Sequence, residues 1–110
     1  MTKIDPAHRV ALIRINKLYR LGMDGNSLYQ ATRKWWVVDP ERGAEWAFAI
    51  YEGVVKGVFQ IEGWEPDPDG SGRWAFHGER SAEMERTYFG ADVSDYFTRG
   101  ARNPVQYVNC

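Results

Sequence analysis

Residues 46–61 read WAFAIYEGVVKGVFQI, and this stretch carries the clearest structural signal in the chain. Two runs rich in β-branched and aromatic residues, 46–51 and 54–61, flank the dipeptide Glu52-Gly53. A two-residue connection with glycine where φ must be positive is typical of a β-hairpin. Side chains alternate along a strand, so the second run predicts Val55, Gly57, Phe59 and Ile61 on one face and Val54, Lys56, Val58 and Gln60 on the other.

Strands are also predicted before and after this hairpin. Residues 10–16 (VALIRIN) form an apolar, β-branched run, and residues 73–78 (RWAFHG) follow an exposed turn that begins at Asp67. A closing strand is expected at 105–108, after the turn that Asn103-Pro104 indicates.

Short helices are predicted from capping residues and helical spacing. Their approximate ranges are 27–34 with Asn26 or Ser27 as the cap, 40–43 with Asp39, 82–88 with Ser81, and 93–97. About five strands with short helices at the rims indicate an α+β fold, a small, mostly antiparallel β-barrel or half-barrel.

Length and composition favour a single globular domain. The chain has 110 residues, of which 44% are hydrophobic and 26% charged, as expected of a folded domain with one core. We therefore expect residues 1–110 to form one domain in which 1–9 is a loose N-terminal segment. No apolar stretch is long enough for a membrane span, no signal peptide is evident, and Cys110 is the only cysteine, so a cytoplasmic setting without membrane contact is expected.

Positive charge is concentrated in the first third of the chain. Up to Val38, seven lysines and arginines accompany two acidic residues, whereas from Asp39 onward seven basic residues accompany thirteen acidic ones. A basic segment on an acidic body suits a protein that binds a polyanion through a local patch. The alternative is that folding interleaves the two halves into a neutral surface.

Two adjacent tryptophans follow two cations in the run Arg33-Lys34-Trp35-Trp36. Neighbouring side chains point in different directions in a helix or a strand, so both indoles cannot face one core. An indole beside positive charge suits stacking on a base next to a phosphate. The alternative is that one indole lies in the core and the other fills a loop.

Several motifs in this order resemble a known group of proteins. They are residues 14–16 (RIN), 28–33 (LYQATR) with Trp36, 47–55 (AFAIYEGVV), 73–78 (RWAFHG) and 103–109 (NPVQYVN). The pattern resembles a group of uncharacterised bacterial domains and the C-terminal region of some proteins that carry a GIY-YIG nuclease domain. That group in turn resembles the PUA-like superfamily, which includes the EVE, ASCH and YTH modules.

What the resemblance implies is a nucleic-acid-binding module with a PUA-like fold. Its cleft would take RNA or DNA, or a single modified base turned out of its helix, between the loop after the first strand and the Thr-Arg segment. In one respect this chain departs from the pattern, because the related sequences usually have glycine where Lys34 stands. Lysine there would crowd a ligand or replace a backbone contact with a charge.

Roles can be assigned to the candidate binding residues. Asn16 offers a donor and an acceptor for a base edge, or holds its own loop in an Asx-turn. Thr32 and Arg33 would bind a phosphate or a base, although a surface ion pair is the alternative for Arg33. Trp36 or Trp35 would stack on the base. On this hypothesis Arg33→Ala weakens binding and makes it less dependent on salt. Trp36→Ala weakens binding but leaves the salt dependence nearly unchanged.

Other candidates have structural alternatives. Tyr29 would close the pocket or lie in the core, and Asn103 would contact the ligand or shape the turn before Pro104. Arg99 and Arg102 would contact phosphates or remain solvated. The full set of candidate ligand-binding residues is Asn16, Lys17, Tyr29, Thr32, Arg33, Lys34, Trp35, Trp36, Arg99 and Asn103.

Signals for catalysis, cofactors and metals are weak. The chain has no P-loop or Rossmann glycine fingerprint and no nucleophile elbow. Residues 67–72 imitate the start of a calcium loop, but Gly78 stands where the bidentate glutamate belongs. We therefore expect no enzyme, cofactor or metal site. Two alternatives to a nucleic-acid-binding module stay open: a small protein-interaction or inhibitor protein on the same fold, and a receptor for a nucleotide-like ligand.

Overall fold

The computed structural model describes residues 3–98, 100 and 102–110. Its strands are β1 (Val10–Arg14), β2 (Trp46–Tyr51), β3 (Val54–Pro66), β4 (Trp74–Arg80) and β5 (Val105–Val108). Its α-helices are α1 (Gly25–Arg33) and α2 (Ala82–Tyr88), with 3₁₀ turns at Pro40–Arg42 and Ser94–Tyr96. Within the described ranges, neither helix has the length and apolar character that crossing a bilayer requires.

The strands form one mixed sheet in the order β4-β3-β2-β1-β5. β1 runs parallel to β2, and the other neighbouring pairs are antiparallel. The predicted α+β class and five strands are confirmed. Of the predicted barrel or half-barrel, the barrel is wrong, because the sheet does not close and β4 and β5 lie at its opposite edges.

Each face of the sheet carries its own core, because alternate side chains of the central strands point to opposite faces. One core, here the α2 face, consists mainly of Leu12, Phe48, Ile50, Val55 and Val58 with Met84 and Tyr88 of α2. The other, here the α1 face, includes Ile13, Ala49, Phe59 and Phe76 with Leu28 of α1. The helices thus pack on the two faces rather than at barrel rims as predicted.

The hairpin between β2 and β3 forms as predicted. Glu52 and Gly53 both have positive φ, 49° and 79°, as the two-residue turn requires. The pairing then shifts: Ala49 lies opposite Gly57, but Ile50 lies opposite Val55. This β-bulge turns Val55 onto the α2 face beside Val58, so the predicted placement of Val55 with Phe59 is wrong.

The helix caps are set by side chains close in sequence. Ser81 accepts a hydrogen bond from the Met84 amide, and Asp39 accepts one from the Glu41 amide, which confirms both predicted caps. The first helix begins earlier than predicted: Asp24, not Asn26 or Ser27, is its cap. The helix predicted at 93–97 is a single 3₁₀ turn.

Residues 3–9, part of the N-terminal segment that is expected to be loose, contact the α2 face. Ile4 is only 5% exposed, and its amide donates a hydrogen bond to the Tyr96 hydroxyl at 2.9 Å. The Asp5 amide donates to the Tyr88 hydroxyl at 3.0 Å, and the same hydroxyl lies 2.8 Å from His8 Nδ1.

Candidate functional site

A cleft of about 460 Å³ lies where the chain leaves β1. Antiparallel pairing of β1 with β5 places Ile13 opposite Val105, so the residues after β1 meet those before β5. The Arg14 amide donates to the Pro104 carbonyl at 2.8 Å, which joins these two walls. The lining residues are Arg14, Ile15, Asn16, Lys17, Leu18, Trp36, Arg102 and Pro104.

Positive charge surrounds this cleft. Lys17 and Arg102 are exposed, and Arg14 is partly buried. Arg14 Nη2 donates to the Asn103 carbonyl at 2.9 Å, and its guanidinium carbon lies 4.7 Å from the Phe97 ring centroid. The described lining residues include three cations and no carboxylate, a composition that suits an anionic ligand although the whole chain has a net charge of −1.

Trp36 is fixed as a wall of the cleft. It is 8% exposed and packs in the core of the α1 face. Its indole Nε1 donates to the Thr32 carbonyl at 2.7 Å, and its backbone pairs with Trp74 through hydrogen bonds of 3.0 and 2.9 Å. These contacts hold in place the part of the indole that lines the cleft.

The neighbouring indole lies elsewhere. Trp35 is partly exposed and is absent from the cleft lining. Exposed Lys34 places its ammonium nitrogen 5.9 Å from the Trp35 ring centroid, and the Trp35 carbonyl accepts a long hydrogen bond from Arg73 at 3.5 Å. The two adjacent indoles therefore diverge, one toward the core and cleft and the other toward the surface.

Two asparagines support the walls of the cleft. The Asn16 side-chain oxygen accepts a hydrogen bond from the Glu52 amide at 3.0 Å, which ties the loop after β1 to the hairpin turn. The Asn103 side-chain oxygen accepts one from the Val105 amide at 3.0 Å, at the start of β5. Asn16 also lines the cleft, whereas Asn103 contributes by holding Arg14 with its carbonyl.

Arg33 contacts β3 and β4 rather than the cleft. Its Nε donates to the Phe76 carbonyl at 3.0 Å, its Nη2 lies 2.8 Å from Glu65 Oε1, and its side chain is 11% exposed. The same Nη2 lies 3.5 Å from His77 Nδ1. Arg33 therefore joins α1 to β3 and β4 and does not line the cleft.

Tyr29 and Thr32 also contact protein groups outside the cleft. The Tyr29 hydroxyl accepts a hydrogen bond from the Gly78 amide at 3.1 Å, and its ring lies 5.5 Å from that of Phe59. Thr32 is fully buried, and its hydroxyl donates to the Leu28 carbonyl at 2.7 Å. Of the residues given a binding role from the sequence, the structure brings together Asn16, Lys17, Trp36 and Arg102.

The contact between Arg33 and Glu65 predicts a response to acid. The hydrogen bond from Arg33 holds the pKa of Glu65 below its usual 4.5, with His77 contributing. A lowered carboxyl pKa stabilises the fold fully above pH 4.5, and this stabilisation is lost as the pH falls through the folded-state pKa. We expect Glu65→Gln to make the free energy of unfolding less dependent on pH below 4.5, as measured by urea denaturation.

The matched control for this measurement is Glu62→Gln, an exposed carboxyl on the same strand. It should retain the acid dependence of the wild-type protein. If the Glu65→Gln and wild-type curves run parallel through the acid range, Glu65 does not stabilise the fold through Arg33.

Sequence reasoning missed part of the cleft. The sequence places Arg14 only within the basic segment, whereas it predicts a phosphate contact or a solvated position for Arg102. Their proximity depends on the pairing of β1 with β5, which no local motif encodes. The candidate Arg99 itself lies outside the described residues.

In the part of the chain that the structure describes, no group of three or more His, Cys, Asp and Glu side chains could hold a metal ion. The chemistry available at the cleft is that of an indole, an asparagine amide, aliphatic side chains and cations. Comparison with known proteins finds no matching family model, curated protein or solved structure.

Proposed function

We propose that the protein is a nucleic-acid-binding module whose cleft holds one base beside Trp36. Lys17 and Arg102 contact the phosphates on either side of that base. The observation that carries the proposal is the convergence of this indole with three cations in one cleft. An aromatic surface for the base next to positive charge for the backbone is the combination that single-stranded nucleic acids require.

The dimensions and surface of the cleft support this proposal. Its volume of about 460 Å³ falls in the range of clefts that bind small ligands, roughly 300–1,000 Å³. Ile15, Leu18 and Pro104 add apolar lining near the indole, while Lys17 and Arg102 are exposed. A ligand with a flat apolar ring and an anionic linkage would match both the apolar lining and the exposed cations.

We further propose kinship with the PUA-like modules and with the C-terminal region of the GIY-YIG nuclease-containing proteins. The support is the order of the sequence motifs and the location of the cleft beside the loop after β1. The open sheet departs from the compact barrel of those modules. Binding by this chain therefore has to be tested directly.

The direct test is titration of the full chain with single-stranded and duplex RNA and DNA at low salt. Lys17→Ala and Arg102→Ala are each expected to weaken binding roughly threefold to tenfold and to reduce the salt slope by about 0.7 for single strands. Both side chains are exposed, so the fold should be retained. Fluorescence anisotropy of labelled oligonucleotides gives the affinity at each salt concentration.

The control is Arg86→Ala, which removes an exposed cation from α2, the helix that packs on the opposite face. Its affinity and salt slope should match those of the wild-type protein. Absence of binding by every oligonucleotide at low salt contradicts the proposal. Equal losses of affinity in Lys17→Ala, Arg102→Ala and Arg86→Ala also contradict it, because they would indicate a nonspecific charge effect. Equal affinity for free nucleoside monophosphates would identify a nucleotide receptor instead.

A further inference from the structure

A second groove adjoins the cleft. Its volume is about 670 Å³, and it shares two lining residues, Lys17 and Leu18, with the cleft. The remaining lining residues come from the loop before α1 and from α1 itself: Arg20, Leu21, Gly22, Met23, Asp24, Ser27, Gln30 and Ala31. The two concavities thus meet at Lys17 and Leu18, in the loop after β1.

The chemistry of this groove resembles that of the cleft. Arg20 is exposed beside Lys17, and Gln30 of α1 adds an exposed amide. Leu21 is 94% exposed, so its side chain is available to pack on a ligand. Asp24, the one carboxylate among the described residues that line this groove, accepts a hydrogen bond from the Ser27 amide at 2.7 Å as the cap of α1.

Building on the proposed function, we propose that this groove binds the neighbouring nucleotides of the strand whose base lies in the cleft. The ligand is then a single-stranded segment of several nucleotides rather than an isolated nucleotide. Lys17 lies in both concavities and contacts the phosphate that joins the two parts. Arg20 contacts the next phosphate, and Leu21 packs against a base, because apolar side chains beside cations suit unstacked bases.

The lining that the two concavities share at Lys17 and Leu18 favours a strand over a free nucleotide. A lone nucleotide would satisfy the cleft and leave Arg20 and Leu21 without a role, although both are exposed beside the shared residue Lys17. A strand that leaves the cleft toward Lys17 meets the second groove directly. Positive charge then follows the phosphate backbone, as in other sites that track a single strand.

The test compares oligonucleotides of one sequence but different length on the full chain. Wild-type affinity is expected to rise about tenfold or more between a dinucleotide and an oligomer of about eight nucleotides. Arg20→Ala should weaken binding of the longer oligomer roughly threefold to tenfold and reduce its salt slope by about 0.7, with little effect on the dinucleotide. Leu21→Ser should weaken binding of the longer oligomer without changing the slope.

The outcomes separate this inference from the proposed function. If short and long oligomers bind equally, or if Arg20→Ala leaves the longer one unaffected, the second groove is not part of the site and the cleft proposal stands. If Arg20→Ala weakens both lengths equally, Arg20 acts on the cleft itself and the separate subsite is disproved. If no length binds, both proposals fail. Arg86→Ala serves again as the distant-charge control.

Discussion

Replacing Gly78 by alanine is expected to lower the free energy of unfolding by about 3 kcal/mol or more. A Cβ atom at this position would overlap the Gln60 carbonyl oxygen and lie 2.9 Å from its carbonyl carbon. Both atoms belong to the backbone of β3, so no side-chain rotation relieves the clash. The strands must separate where β4 pairs with Ile61, and hydrogen bonds of the β3–β4 ladder are lost.

The matched control is Gly63→Ala in the same irregular stretch of β3. The pairing shifts between Ile61 and Gly63, but a Cβ on Gly63 meets no atom within 4 Å. This substitution should change stability by less than about 1 kcal/mol. Urea denaturation followed by circular dichroism compares the two variants. Similar midpoints for both would mean that close contact between the strands at Gly78 is not what requires glycine.

The effect of Gly78→Ala should extend to α1. The Gly78 amide donates to the Tyr29 hydroxyl, and Arg33 binds the neighbouring Phe76 carbonyl. Both contacts hold α1 on β4, and α1 leads directly to Trp36, the indole in the cleft. Part of the candidate binding sequence therefore serves to position the cleft rather than to line it.

Features set by residues close in sequence could be predicted from the sequence. The turn at Glu52-Gly53 follows from a two-residue connection, and the caps at Asp39 and Ser81 from contacts two or three positions away. At the first helix, three polar residues compete as caps within four positions, and only the backbone geometry selects Asp24. Element type was therefore easier to predict than element boundaries.

Features set by distant pairing could not be predicted in the same way. Alternation within β3 cannot reveal a bulge, because the extra residue appears only when β2 lies opposite. The parallel pairing of β1 with β2 connects residues some 36 positions apart. With β5 on the other side of β1, the sheet stays open and does not close into the barrel that was one of the two predicted forms.

The candidate site shows the same difference between features set locally and features set by distant pairing. Asn16, Lys17 and Trp36 were named from the sequence and line one cleft. Arg33 was named for its charge, but Glu65, 32 positions later, lies against it, so the basic segment and the acidic body interleave there. Arg14, by contrast, lines the cleft because β1 pairs with β5. Sequence alone offers no means to decide which cations the acidic body neutralises.

Substitutions of Trp36 are expected to separate its two roles, in the core and in the cleft. Trp36→Ala should lower the free energy of unfolding by about 3–5 kcal/mol, because the indole is 8% exposed and its Nε1 donates to the Thr32 carbonyl. That loss is a large part of the roughly 5–15 kcal/mol of an ordinary domain. A binding defect in this variant would therefore be ambiguous.

Trp36→Phe retains a ring and most of the packing, so the fold should persist with a smaller loss of stability. Its affinity for oligonucleotides should fall roughly threefold to tenfold because the stacking surface shrinks, and its salt slope should equal that of the wild-type protein since no charge is removed. The control is Trp64→Phe, which alters an indole packed 5.9 Å from the Phe76 ring on the same face, outside the cleft. Titrations at several salt concentrations test both variants. Equal loss of affinity in both, or none in Trp36→Phe, would assign Trp36 to the core alone.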